Sequence, residues 1–104
     1  MSWAYEYRRP LATGTVAVNA VSKSLKTMGF VIPNGTTCLT VQNLDSTNAV
    51  EINDGAVTSG AAFRLGGYES KSFLWQTSEL KGLEFLSSSG ANMFIMCEGP
   101  KSGA

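Results

Sequence analysis

Val50-Glu51-Ile52-Asn53-Asp54-Gly55 is the stretch that decides the fold class. Val50 and Ile52 alternate with Glu51 and Asn53, the period of two expected of a half-buried strand, because successive side chains of an extended chain point to opposite faces. Asp54-Gly55 then ends the run with a strong turn dipeptide.

The same grammar extends in both directions. Upstream, Thr36, Thr37, Thr40 and Val41 are β-branched and favour a strand over Thr36 to Gln42, with Leu39 and Val41 facing inward. Before it, Pro33-Asn34-Gly35 reads as a turn that closes the apolar stretch Leu25 to Ile32, and earlier still Val16 and Val18 alternate with small residues. Downstream, Asn43 to Asn48 is a loop, Phe63 and Leu65 alternate with Ala62 and Arg64, and Gly66-Gly67 breaks that run. Ser72 to Gln76, with Phe73, Leu74 and Trp75, predicts a further strand. Leu83, Phe85 and Leu86, then Ser87-Ser88-Ser89-Gly90, then Met93 to Cys97 predict a closing hairpin. The one helix candidate is Val21 to Met28, where Leu25 and Met28 fall near helical spacing ahead of Gly29. Short strands at regular spacing predict an all-β chain: a single antiparallel β-sandwich or jelly-roll-like barrel of about seven or eight strands.

At 104 residues the chain fits one domain. Residues 1–10 are expected to be an N-terminal arm or first edge strand, 11–99 the sandwich, and 100–104 a C-terminal tail. Eight basic residues cancel eight acidic ones, and only Arg8 and Arg9 form an adjacent pair of one sign. That disfavours nucleic acid, whose binding needs a basic face to displace counterions. No stretch approaches the apolar length of a membrane span, and the first residues lack a secretory pattern, so synthesis in the cytoplasm is expected and no membrane partner is. Cys38 and Cys97 each lie in an apolar, β-like run, where a buried free thiol is the ordinary state.

Catalytic and metal motifs do not assemble. Histidine is absent, which removes the commonest general base and metal ligand. The many serines therefore lack the usual partner to take a proton, so no enzyme activity is expected. Asp45, Glu51 and Asp54, with Asn48 and Asn53, are oxygen donors, but their spacing does not match a calcium loop, and solvated loop acids are far commoner. Gly55 to Gly60 and Gly66-Gly67 lack the Lys-Ser or Lys-Thr of a phosphate cradle; Ala61 and Tyr68 follow instead, which favours turns. Asn34-Gly35-Thr36 has the form of a glycosylation acceptor and is more simply a β-turn. No cofactor or metal is expected.

The residues with most to say are Trp3, Tyr5 and Tyr7, which an extended chain would place on one side, followed by Arg8, Arg9 and Pro10. They suit either a first strand with its aromatics in the core or an arm docked on a neighbour, aromatic and arginine side chains being preferred interface anchors. These five, Trp3, Tyr5, Tyr7, Arg8 and Arg9, are the candidate partner-binding residues.

Three segments resemble small tailed-bacteriophage virion structural proteins: Asn43-Leu44-Asp45-Ser46-Thr47-Asn48-Ala49-Val50-Glu51-Ile52, Phe63-Arg64-Leu65-Gly66-Gly67-Tyr68-Glu69-Ser70, and Leu83 to Met96 through Ser87-Ser88-Ser89-Gly90. The likeness covers about Asn43 to Met96 and lies in turns and alternation; Gly67-Tyr68-Glu69 here stands where a tighter Gly-Glu pairing is usual. The resemblance implies a head-decoration, fibre, spike or tail-associated β-sandwich that self-associates as a trimer or other ring, bound to a phage capsid or tail protein and located in the virion. It carries no catalytic residues. A carbohydrate-binding or adhesin module is the alternative, with Trp3, Trp75 or Tyr68 stacking on sugar faces.

Overall fold

The computed structural model describes residues 8–58 and 62–100. Within them lie eight strands: β1 (Arg8–Val18), β2 (Lys23–Ser24), β3 (Cys38–Asn43), β4 (Val50–Asp54), β5 (Phe63–Leu65), β6 (Ser70–Phe73), β7 (Leu83–Leu86) and β8 (Ala91–Pro100), with one short helix, α1 (Thr77–Leu80), between β6 and β7. They form two four-stranded antiparallel sheets, ordered β1-β8-β3-β6 and β2-β7-β4-β5.

The order has a simple logic. β1 pairs with β8, β2 with β7, β3 with β6 and β4 with β5, so the chain is one long hairpin whose tip is the β4–β5 connection, wrapped so that its two arms alternate between sheets. This is the jelly-roll arrangement of a β-sandwich. The pairing of Arg8 with Pro100 brings the two ends of the described chain to one pole. The turns at 19–22, 44–49 and 87–90 lie at the other, beyond the Val18–Ala91 and Asn43–Met93 pairs.

The core follows from the alternation. Val16, Val18, Leu39, Val41, Met93, Ile95 and Cys97 point inward from the first sheet, and Val50, Ile52, Leu65, Leu83 and Phe85 from the second. Each large apolar side chain so buried contributes about 1.5–3 kcal/mol relative to exposure. Leu25, Ile32 and Leu80 join the same cluster from the connections.

Three expectations fail for identifiable reasons. Val21 to Met28 is not a helix. Ser24 Oγ accepts from the Thr27 N–H at 3.3 Å and the Met28 N–H reaches Ser24 O at 3.2 Å, but Gly29 at φ 96° closes the turn at once. The Gly29 and Phe30 N–H groups bond back to Lys26 O and Leu25 O, a glycine-dependent stop that leaves a single turn. β2 is confined to Lys23–Ser24, so the apolar stretch Leu25 to Ile32 lies in the connection between β2 and β3. The strand expected over Ser72 to Gln76 is β6, ending at Phe73, after which Leu74 is exposed and the chain turns into α1. The expected closing hairpin is a corner: Ser87–Gly90 does turn, with Gly90 N–H bonded to Ser87 O at 3.1 Å, but β7 and β8 lie in opposite sheets. Ser87 fixes that crossing, donating its N–H to Asn19 O (2.8 Å) and its hydroxyl to Ala49 O (2.7 Å).

Candidate functional site

Trp3, Tyr5 and Tyr7 lie outside the described residues. Arg8 and Arg9 open β1, so the chain enters the sandwich in extended form directly after the aromatic segment. β1 is an edge strand of its sheet, with β8 on one side and no paired strand on the other among the described residues. Pro10 does not end it: the ladder slips between Pro10 and Ala12, an irregularity that accommodates a residue lacking an N–H, and pairing resumes to Val18. The two arginines separate in role. Arg8 lies 4.0 Å from the Glu98 carboxylate of β8, while Arg9 is exposed without an ion pair among the described residues. Arg8 and Glu98, with Cys38, Thr40, Ser72 and Met96, line a shallow depression of about 290 Å³ on the outer face of the first sheet.

A second site lies at the mouth between the sheets, where edge strands β5 and β6 approach. Ile52, Phe63, Phe73, Trp75 and Leu83 line a groove of about 280 Å³, with Asn53 and Asp54 at its polar side. Phe63 pairs with Ile52 and so points toward the interior, but it lies on an edge strand and remains 47% exposed. Phe73 and Trp75 meet edge to face, centroids 5.3 Å apart. The Lys71 ammonium sits 4.8 Å from the Phe63 ring centre and 5.9 Å from that of Phe73, already occupying the π faces that would attract a cationic ligand. Of the expected stacking residues, Trp75 is here and Trp3 lies outside the described residues. Tyr68 is exposed on the 66–69 turn, with φ 61°. Phe63, Asn53 and Asp54 were legible as strand and turn residues only, and no local signal marks them as neighbours of Trp75.

The expected oxygen donors do not converge: among the described residues no group of three or more His, Cys, Asp or Glu side chains could hold an ion. Asp45 is engaged locally, its carboxylate accepting from the backbone N–H groups of Asn48 (2.6 Å) and Thr47 (2.8 Å). Those two bonds, Asn48 first, hold its pKa below the ordinary carboxylate value. Cys38 and Cys97 are both free and buried. In the β3–β8 register Cys97 faces Leu39 and Cys38 faces Glu98, so the thiols emerge on opposite faces of one sheet, which separates them sterically. Burial raises the pKa of Cys97, opposed by its contact with the Thr36 hydroxyl, with Cys38 adding to the rise.

The fold and these surfaces thus define an eight-stranded jelly-roll sandwich with one long edge strand and one aromatic groove. No family model, no curated protein and no solved structure matches the chain.

Proposed function

We propose that this protein is a self-associating structural component of a bacteriophage virion, attached to the capsid or tail, with Trp3, Tyr5, Tyr7, Arg8 and Arg9 as its partner-binding segment. The observation that carries this reading is the position of β1: an 11-residue edge strand that begins where the aromatic segment ends. On this reading the partner is met at the sheet's margin, where an added chain is most readily received. Each aromatic can bury about 150–250 Å² against a partner. The resemblance of the Asn43 to Met96 segments to tailed-phage proteins supports the setting, and the jelly roll is an architecture that virion proteins use, although a fold alone does not fix a function. The test is light scattering with sizing chromatography at tens of micromolar, together with deletion of residues 2–7, which leaves β1 whole. The expected result is a β-type circular dichroism spectrum unchanged by the deletion and weakened association or particle binding. A full-length monomer that binds no virion overturns the reading; a truncated protein that unfolds assigns the aromatics to the protein's own core.

The Phe63–Trp75 groove supports a second reading, a carbohydrate-binding module. A saccharide that shifts tryptophan emission saturably in the full-length protein, and fails to do so in Trp75→Ala, establishes it; a shift that survives Trp75→Ala removes the groove from consideration.

A further inference from the structure

Among the described residues the two sheets present four edges, and they are not alike. β2 is two residues long and carries Lys23; β5 is three residues long and carries Arg64; β6 is four residues long and carries Lys71. Short length and a basic side chain are the devices by which edge strands are kept from pairing with other chains, since an approaching strand must desolvate or displace the charge and gains few hydrogen bonds in return. β1 is the fourth edge, and from Leu11 to Val18 it reads Leu-Ala-Thr-Gly-Thr-Val-Ala-Val, eight residues without a charge. Its guards, Arg8, Arg9, Pro10 and the slip in the ladder, are all confined to its first turn of chain.

We infer that the Leu11–Val18 edge of β1 is an interface, and that its occupant is the same edge of a second copy of this chain, joined antiparallel so that two four-stranded sheets become one of eight strands. The inference rests on the self-association proposed above and specifies its geometry. Pairing β1 with any other edge of a second copy meets Lys23, Arg64 or Lys71 and offers at most four residues of ladder. Parallel self-pairing in register sets Arg8 and Arg9 against their own copies, whereas the antiparallel arrangement moves them to opposite ends. An isologous edge of this kind is satisfied by one partner, so the assembly it builds is a two-fold dimer and not a ring.

The experiment compares the full-length protein with Thr15→Lys and Thr13→Lys, both at exposed positions on β1. By light scattering the parent protein is expected at twice the mass of one chain, and each folded variant at the mass of one. In the parent, the β1 amides that point away from β8 should exchange slowly at high concentration and quickly on dilution. A parent that associates while both lysine variants, folded by circular dichroism, associate equally well overturns the edge interface and leaves self-association standing. A parent that is monomeric overturns both. Should both variants unfold, the exchange measurement decides: β1 amides that exchange at the same rate at all concentrations refute the interface.

Discussion

Asn43→Asp is expected to cost about 3–5 kcal/mol at neutral pH, the scale on which an uncompensated buried charge destabilises a fold. Asn43 is fully buried at the end of β3. Its amide nitrogen shares its two N–H bonds among three backbone carbonyls, Asn48 O at 2.7 Å, Gly66 O at 3.1 Å and Leu65 O at 3.3 Å, and its Oδ1 accepts from the Asp45 N–H at 2.9 Å. One side chain therefore ties the 44–49 connection of one sheet crossing to the end of β5. Aspartate is nearly the same shape but has no donor when ionised, so three carbonyl oxygens would face a carboxylate. The penalty should shrink on acidification. The aspartate pKa in the folded variant would lie above its unfolded value of about 3.9, the folded state would bind the proton more tightly, and stability would fall as pH rises through that interval. Urea midpoints at neutral and mildly acidic pH measure this. An aspartate variant as stable as the parent at pH 7, or equally unstable at both pH values, would show that the amide is not the tie.

Gly67→Ala is expected to cost about 3 kcal/mol, at the upper end of overpacking effects, while Gly66→Ala next to it costs less than about 1 kcal/mol. A Cβ on Gly67 would run into the Ser46 carbonyl oxygen and lie 2.7 Å from the Ser46 carbonyl carbon, so the backbone of two loops would have to part. A Cβ on Gly66 would meet the Glu69 carboxylate oxygen at 2.8 Å, the far end of an exposed side chain that can shift at the cost of its solvent-exposed bond from the Gly66 N–H. The contrast isolates close backbone approach from the general cost of replacing glycine in a turn. Thermal or urea unfolding of the two single variants reads it directly, and equal losses for both would refute it.

Both of these positions show where reading the chain alone reaches its limit. Val50, Ile52, Leu39 and Val41 were legible as inward strand residues because alternation is a local property, and all four are buried as the period of two requires. Phe63 obeys the same alternation yet remains half exposed while Leu65, two residues on in the same edge strand, is buried, because cover at an inward position depends on what the opposite sheet and the connections place over it. The corner at Ser87–Gly90 carries the same turn chemistry as a hairpin; what distinguishes them is whether the next strand returns to its own sheet, which is decided by β3 pairing with β8. Asn43 and Gly67 looked like loop residues, and their importance comes from a meeting of two turns far apart in sequence. The guarded edges follow suit: Lys23, Arg64 and Lys71 look scattered along the chain, and only the strand order reveals that each marks a margin.

The nesting of the chain gives the molecule a head and a foot. Because Arg8 pairs with Pro100, both ends of the described chain lie at the foot, while the 19–22, 44–49 and 87–90 turns face away. Antiparallel union along β1 changes the meaning of that polarity. With Leu11 opposite Val18 of the second copy, the two Arg8 positions would lie about 43 Å apart at roughly 3.3 Å per residue, so the joined pair would carry one foot at either extremity. If the edge interface holds, such an object would be a strut with two footholds, able to fasten one site to another across a gap instead of ornamenting a single one.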